Sequence, residues 1–110
     1  MVEKRNFPRV EASHPILYFT DTHPGPKVAW TLDLSLEGAG IEFSNGLTPG
    51  DRFWMHIAID HQTIKCRGKA IYVLETDTGS MKAGIKFEDL SKDEKLYLRQ
   101  YISYIMEQRT

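Results

Sequence analysis

Two short stretches hold the residues best suited to chemistry. In LDLSLEGAGIEF, residues 32–43, the acid Asp33, the hydroxyl of Ser35 and the glycines Gly38 and Gly40 interrupt a strand-like run in which a purely structural element favours β-branched side chains. In an extended chain Asp33 and Ser35 share one outward face opposite Leu32 and Leu34. Gly38 follows at a turn where bare backbone permits close approach. A carboxylate accepts two N–H bonds at once, which is what the Watson–Crick edge of guanine offers. The same residues also suit an Asx or Ser turn that closes a hairpin.

The second stretch is KRNFPRV, residues 4–10. Pro8 disfavours helix and biases Phe7 toward extended backbone, so Arg5 and Arg9 lie on one side of an arm, at most about 13 Å apart at ~3.3 Å per residue. Two guanidiniums at that reach can grip two phosphates or base edges of a dinucleotide-sized anion, because each is planar, permanently charged and capable of forked hydrogen bonding. A solvated terminus carrying unrelated charges is the structural alternative.

The elements that must position these groups follow from hydrophobic period. PILYF (15–19), VAWTLDL (28–34), AGIEF (39–43), RFWMHIAI (52–59), TIKCRGKAIYVLE (63–75) and MKAGIKFE (81–88) read as strands, separated by turn clusters such as SNGLTPGD and TDTGS. Asp60-His61 is the expected hairpin tip. Strict alternation in 28–34 places Val28, Trp30, Leu32 and Leu34 on one face and Ala29, Thr31 and Asp33 on the other. The chain shows no internal repeat, low-complexity tract or linker.

The last segment changes period: Ser91 with Glu94 forms a capping box, and Leu98, Ile102 and Ile105 with Tyr101 form an apolar stripe, so a C-terminal helix is expected over 91–108. Many short strands and one helix predict an all-β domain, a small closed or nearly closed antiparallel barrel whose closure removes exposed edges.

At 110 residues and 41% hydrophobic, the chain is expected to be a single domain. One cysteine, Cys66, excludes an internal disulfide and a multi-cysteine zinc site. His14, His23, His56 and His61 show no ligand spacing, so no metal is expected. The absence of a membrane-length apolar run and of a leader-like N-terminus predicts a cytoplasmic protein without membrane insertion. A net charge of −1 argues against DNA or RNA as partner, and leaves the local cluster Lys4, Arg5 and Arg9 as the candidate anion site. Lys65, Arg67 and Lys69 alternate along one strand and read as solvated exterior. Neither a nucleophile elbow nor a glycine-rich phosphate loop is present, so no enzyme activity is expected.

Together, Arg5-x-x-x-Arg9 and Asp33-x-Ser35-x-x-Gly38 resemble the paired RxxxR and (D/N)xSxxG motifs of the PilZ domain family. TPGDRFWMHIAI, GKAIYVLE, AGIKFEDLS and the closing helix extend the resemblance over nearly the whole chain. It implies a six-stranded antiparallel β-barrel with a C-terminal α-helix: a ligand-binding arm at 1–10, a barrel at 14–88 and the helix at 91–108. It also implies binding of the bacterial second messenger cyclic di-GMP, without further cofactor. Arg5 and Arg9 would contact phosphates and guanine edges, and Asp33, Ser35 and Gly38 would form the barrel half of the site. Lys4 is placed to add a phosphate contact, and Tyr72 to stack on a base as such domains often do with an aromatic there; a solvated lysine and an ordinary strand tyrosine are the alternatives. Ordering of the arm by ligand would pass a signal to a separate effector protein. A nucleotide-independent interaction adaptor is the second reading, and a single-stranded nucleic-acid-binding barrel a distant third.

Overall fold

The computed structural model describes residues 8–20, 25–44 and 46–108. Among these residues seven strands and one helix follow in order: β1 (Val10–Glu11), β2 (Pro15–Phe19), β3 (Lys27–Leu34), β4 (Gly38–Phe43), β5 (Arg52–Ile59), β6 (Gln62–Glu75), β7 (Met81–Phe87) and α1 (Lys92–Gln108). The strands are ordered β1-β3-β2-β5-β6-β7-β4, and a further pairing of β3 with β4 returns the sheet on itself. Strands β2 to β7 thus form a closed six-stranded antiparallel barrel, and the two-residue β1 is an extra strand laid on the end of β3. Closure leaves no long exposed edge among these six strands.

Inward positions follow the alternation. Ile16 and Tyr18 of β2, Ile41 of β4, Met55 and Ile57 of β5, Ile64 of β6 and Ile85 of β7 are buried in one core. Each such aliphatic side chain contributes about 1.5–3 kcal/mol by leaving water. The β5–β6 hairpin turns at Asp60-His61, where Asp60 adopts a φ of 52°.

Strand β3 departs from the expected facing. Val28 and Trp30 point outward, 57% and 49% exposed, while Ala29 and Thr31 are buried. The pairing of β3 with β4 slips between Thr31 and Asp33, so the bulge restores Leu34 to the interior and turns Asp33 to the surface. Thr31 is tolerated inside because its hydroxyl is fully used: Oγ1 donates to the Ala12 carbonyl at 2.5 Å and accepts the His14 amide at 2.7 Å. This polar clamp joins the chain between β1 and β2 to β3.

Helix α1 covers one end of the barrel. The capping box forms: Ser91 Oγ accepts the Glu94 amide at 3.1 Å and Glu94 Oε1 accepts the Ser91 amide at 3.2 Å. Leu98 and Ile102 are buried, and Tyr101 and Ile105 pack at the margin. Tyr97 Oη donates to the Ile59 carbonyl at 2.7 Å, and Tyr101 Oη shares a 2.7 Å hydrogen bond with His14 Nε2. The first half of β6 lies beyond the reach of β7, and there Glu94 and Asp89 accept the amides of Lys65 and Arg67. Two carboxylates therefore occupy backbone donors that the barrel leaves unpaired.

Candidate functional site

The bulge that exposes Asp33 also fixes what it meets. Pairing of Val10 with Leu34 and of Glu11 with Asp33 brings the preceding residue, Arg9, alongside the carboxylate. Arg9 Nη1 donates to Asp33 Oδ1 at 2.6 Å, across 24 positions of sequence. The same oxygen accepts the Gly40 amide at 2.9 Å. With side chains 23% and 33% exposed, the pair is partly desolvated, so it is stronger than the usual surface ion pair. Arg9 Nε is buried with no hydrogen-bond partner among the described residues.

Ser35 and Gly38 take different places from Asp33. Ser35 is fully buried instead of facing outward beside Asp33, and its Oγ accepts the amides of Glu37 and Gly38 at 3.2 Å each. Its own amide donates to the Gly38 carbonyl at 2.9 Å. This is the Ser turn that closes the β3–β4 hairpin. At Gly38 a Cβ would lie 2.0 Å from the Ile85 carbonyl oxygen, so the space that the glycine leaves is filled by the β7 backbone. Lys4 and Arg5 lie outside the described residues.

A single register row then crosses the barrel wall: Glu11, Asp33, Gly40, Gly84 and Tyr72 stand opposite one another in turn on β1, β3, β4, β7 and β6. The third and fourth positions of the row are glycine. A Cβ at Gly84 would come within 2.2 Å of Tyr72 Cε2, and one at Gly40 would sit 3.1 Å from both Asp33 carboxylate oxygens. The missing side chains let the carboxylate and the phenol ring lie down on the sheet. A bulge between Ala70 and Tyr72 aims the ring, which remains 47% exposed.

Open grooves lie on either side of Tyr72. The larger, about 730 Å³, is bounded by Asp33, Gly40, Leu74 and Lys82; the smaller, about 420 Å³, by Arg9, Glu37, Gly38 and Lys86. The surface thus offers a guanidinium, an anchored carboxylate, an aromatic face and a flat glycine floor, the chemistry of non-covalent recognition of a planar, anionic ligand. Among the described residues no three His, Cys, Asp or Glu side chains are grouped to hold a metal ion, and no helix is long and apolar enough to cross a membrane.

The sequence analysis did not assign Gly40, Gly84, Lys82 or Lys86 to the site. A signal was present: Ala-Gly-Ile-x-Phe occurs at 39–43 and again at 83–87, and these two segments pair antiparallel about the Gly40–Gly84 contact. Glycine at the centre of both strands marks a place where something must approach the backbone.

The fold and this surface define a small closed β-barrel with a grooved outer wall. The chain belongs to the PilZ domain family, whose model matches residues 3–104. Its fold is shared by the PilZ domain of Escherichia coli YcgR with c-di-GMP, 15% identical with a TM-score of 0.78 over 97% of this chain and 95% of that one. YcgR in complex with c-di-GMP, from the same organism, is 18% identical with a TM-score of 0.83 over 98% of this chain. The Bacillus subtilis inhibitor of motility MotI/DgrA is 14% identical with a TM-score of 0.82 over 99% of this chain. The chain spans 48% of that YcgR chain and 55% of MotI/DgrA, about half the length of each. No curated protein sequence matches.

Proposed function

We propose that this domain is a receptor for cyclic di-GMP and that the ligand bridges the N-terminal arm to the barrel wall. The observation that carries the reading is the meeting of Arg9 with Asp33 at the junction of the two grooves. Asp33 accepts guanine N–H groups, held in place by the Gly40 amide. Arg9 and Arg5 contact phosphates and guanine edges, and Lys4 adds a phosphate contact. Tyr72 stacks on a base, Gly38 borders the smaller groove, and Ser35 completes the barrel half of the site through the turn it closes. Membership of the family and c-di-GMP-bound structural neighbours, the YcgR structures among them, support the choice of nucleotide.

The placement of Arg9 suggests how binding becomes a signal. Arg9 already rests on Asp33, and its Nε is a buried donor without a described partner, an arrangement that costs about 1–3 kcal/mol. Ligand that engages Arg9 offers that donor an acceptor and draws Lys4 and Arg5 to the same anion, while Val10 stays paired with Leu34. The reshaped surface is then read by a separate effector protein in the cytoplasm. Binding and release, with no bond made or broken, are the whole of the chemistry.

An interaction adaptor that works without nucleotide is the second reading, favoured by the outward strip of Leu17, Val28 and Trp30 on β2 and β3. Isothermal titration with cyclic di-GMP, with GTP and the linear dinucleotide as controls, separates the two. Selective binding at micromolar concentration or tighter, weakened roughly ten-fold or more by Arg9→Ala because a charge-assisted bond contributes about 1.5–3 kcal/mol, supports the receptor. Absence of heat and of chemical-shift change at high ligand concentration puts the adaptor first.

A further inference from the structure

A second register row crosses the outside of the barrel next to the Arg9–Asp33 clasp. Arg52 on β5 stands opposite Lys69 on β6, Lys69 opposite Lys86 on β7, and Lys86 opposite Gly38 on β4. Like charges directly opposite on antiparallel strands, about 5 Å apart at Cα, destabilise a sheet. Glu88 relieves the first member, its Oε1 accepting Arg52 Nε at 2.9 Å. Among the described residues neither Lys69 nor Lys86 has an ion-pair partner.

The three cations of β6 are not equivalent. Arg67 spreads its guanidinium over the Trp54 ring, 4.9 Å from the centroid, and Lys65 is exposed opposite His56. Lys69 is half-buried and faces another ammonium, and that partner, Lys86, lines the same groove as Arg9 and Gly38. The groove holds Arg9 and Lys86 against the one acid Glu37, and Lys69 stands beside Lys86 on the next strand, so positive charge prevails at this end of the barrel wall.

We infer that Lys69 and Lys86 form an anion subsite for a phosphodiester of the nucleotide that Arg9 and Asp33 hold; this rests on the receptor reading above. The ammoniums supply compact point charges suited to phosphate, while the guanidinium supplies directional hydrogen bonds. A phosphate bound between them also cancels the repulsion that the free barrel carries, so affinity and free-state stability are coupled with opposite sign.

That sign is the test. Lys69→Ala and Lys86→Ala, singly and together, are compared with wild type and Arg9→Ala by titration with cyclic di-GMP at low and high salt, and by thermal unfolding without ligand. The double variant is expected to bind about ten-fold more weakly with a flatter salt dependence, since charges at a barrel surface are screened over about 10 Å at 0.1 M salt, and to unfold at the same or a higher temperature. Wild-type affinity and salt dependence in the double variant overturn the subsite while Arg9→Ala still reports on the receptor reading. Parallel loss of affinity and thermal stability also overturns it, because a structural role predicts that pattern. No binding by wild type removes the receptor reading and the subsite together.

Discussion

Asp33 is where three parts of the chain meet: Arg9 before β1, the bulge of β3, and the Gly40 amide of β4. Asp33→Ala removes the acceptor from both Arg9 and the Gly40 amide. Cyclic di-GMP binding is expected to weaken by roughly ten-fold or more, with less change in salt dependence than Arg9→Ala produces, because in the proposed receptor the carboxylate meets a base edge and not a phosphate. Titration of both variants at two salt concentrations checks this, and equal salt slopes would remove the assignment of Asp33 to a base. Cys66 shows the opposite kind of residue, one shielded from chemistry. Burial, with Asp89 and Glu94 adding to it, pushes its thiol up from an ordinary 9.0 to about 12. The folded protein therefore holds this proton more tightly than the unfolded chain. The stability so gained is complete below pH 9.0 and is lost as pH rises toward about 12. Alkylation near pH 8 should be at least ~100-fold slower in the native protein than in urea, a ratio that mass spectrometry over time reads directly. Fast native alkylation would show that β6 opens.

At the scale of elements, the β3–β4 hairpin and the α1 contact make separate predictions. Gly38→Ala drives a Cβ to 2.0 Å from the Ile85 carbonyl oxygen, and neither strand can yield without breaking the β4–β7 ladder. A loss of about 2–4 kcal/mol in urea unfolding is expected, with nucleotide affinity falling as the hairpin shifts. A variant as stable as wild type would mean that the strands separate easily there. Helix α1 is tied down by Tyr97 and by the Tyr101–His14 bond. Burial lowers the His14 pKa from 6.5, with Asp60 acting weakly the other way. A base whose folded pKa is depressed stabilises the fold above its unfolded pKa, and that contribution is lost as pH falls below 6.5. Acidification from about pH 7.5 to pH 5 should lower the melting temperature of wild type more than that of His14→Gln. Parallel curves for the two proteins would show that this contact does not sense protons.

For the whole molecule, closure of the barrel through β3 and β4 means that the site wall is built from strands distant in sequence, so ligand bound there stabilises the entire cooperative unit. At a ligand concentration 100 times Kd the gain is about 2.7 kcal/mol, equivalent to roughly 10 °C in melting temperature for a domain of this size. Differential scanning fluorimetry across a cyclic di-GMP series reads the shift. A shift that stays flat while calorimetry reports binding would place the ligand on the arm alone.

The amino-acid sequence by itself determined the parts whose physics is local. Alternation marked the barrel strands, Asp60-His61 the hairpin tip, Ser91 with Glu94 the helix start, and Leu98 and Ile102 its buried stripe. It also named Arg9, Asp33 and Gly38 from their chemistry and spacing, and Tyr72 through the family resemblance alone. Tertiary structure decided the rest. Which face of β3 is buried depended on a bulge and on the Thr31 hydroxyl finding partners on the segment after β1, and apolarity alone pointed the wrong way for Val28 and Trp30. The turn role of Ser35 rests on a backbone it shares with Gly38, and the glycine floor under Tyr72 on the pairing of two Ala-Gly-Ile-x-Phe segments 44 positions apart, as 84 exceeds 40. The facing lysines of β6 and β7 are likewise a matter of register. Strand register couples residues that no local window contains, and here it decides which side chains share one surface.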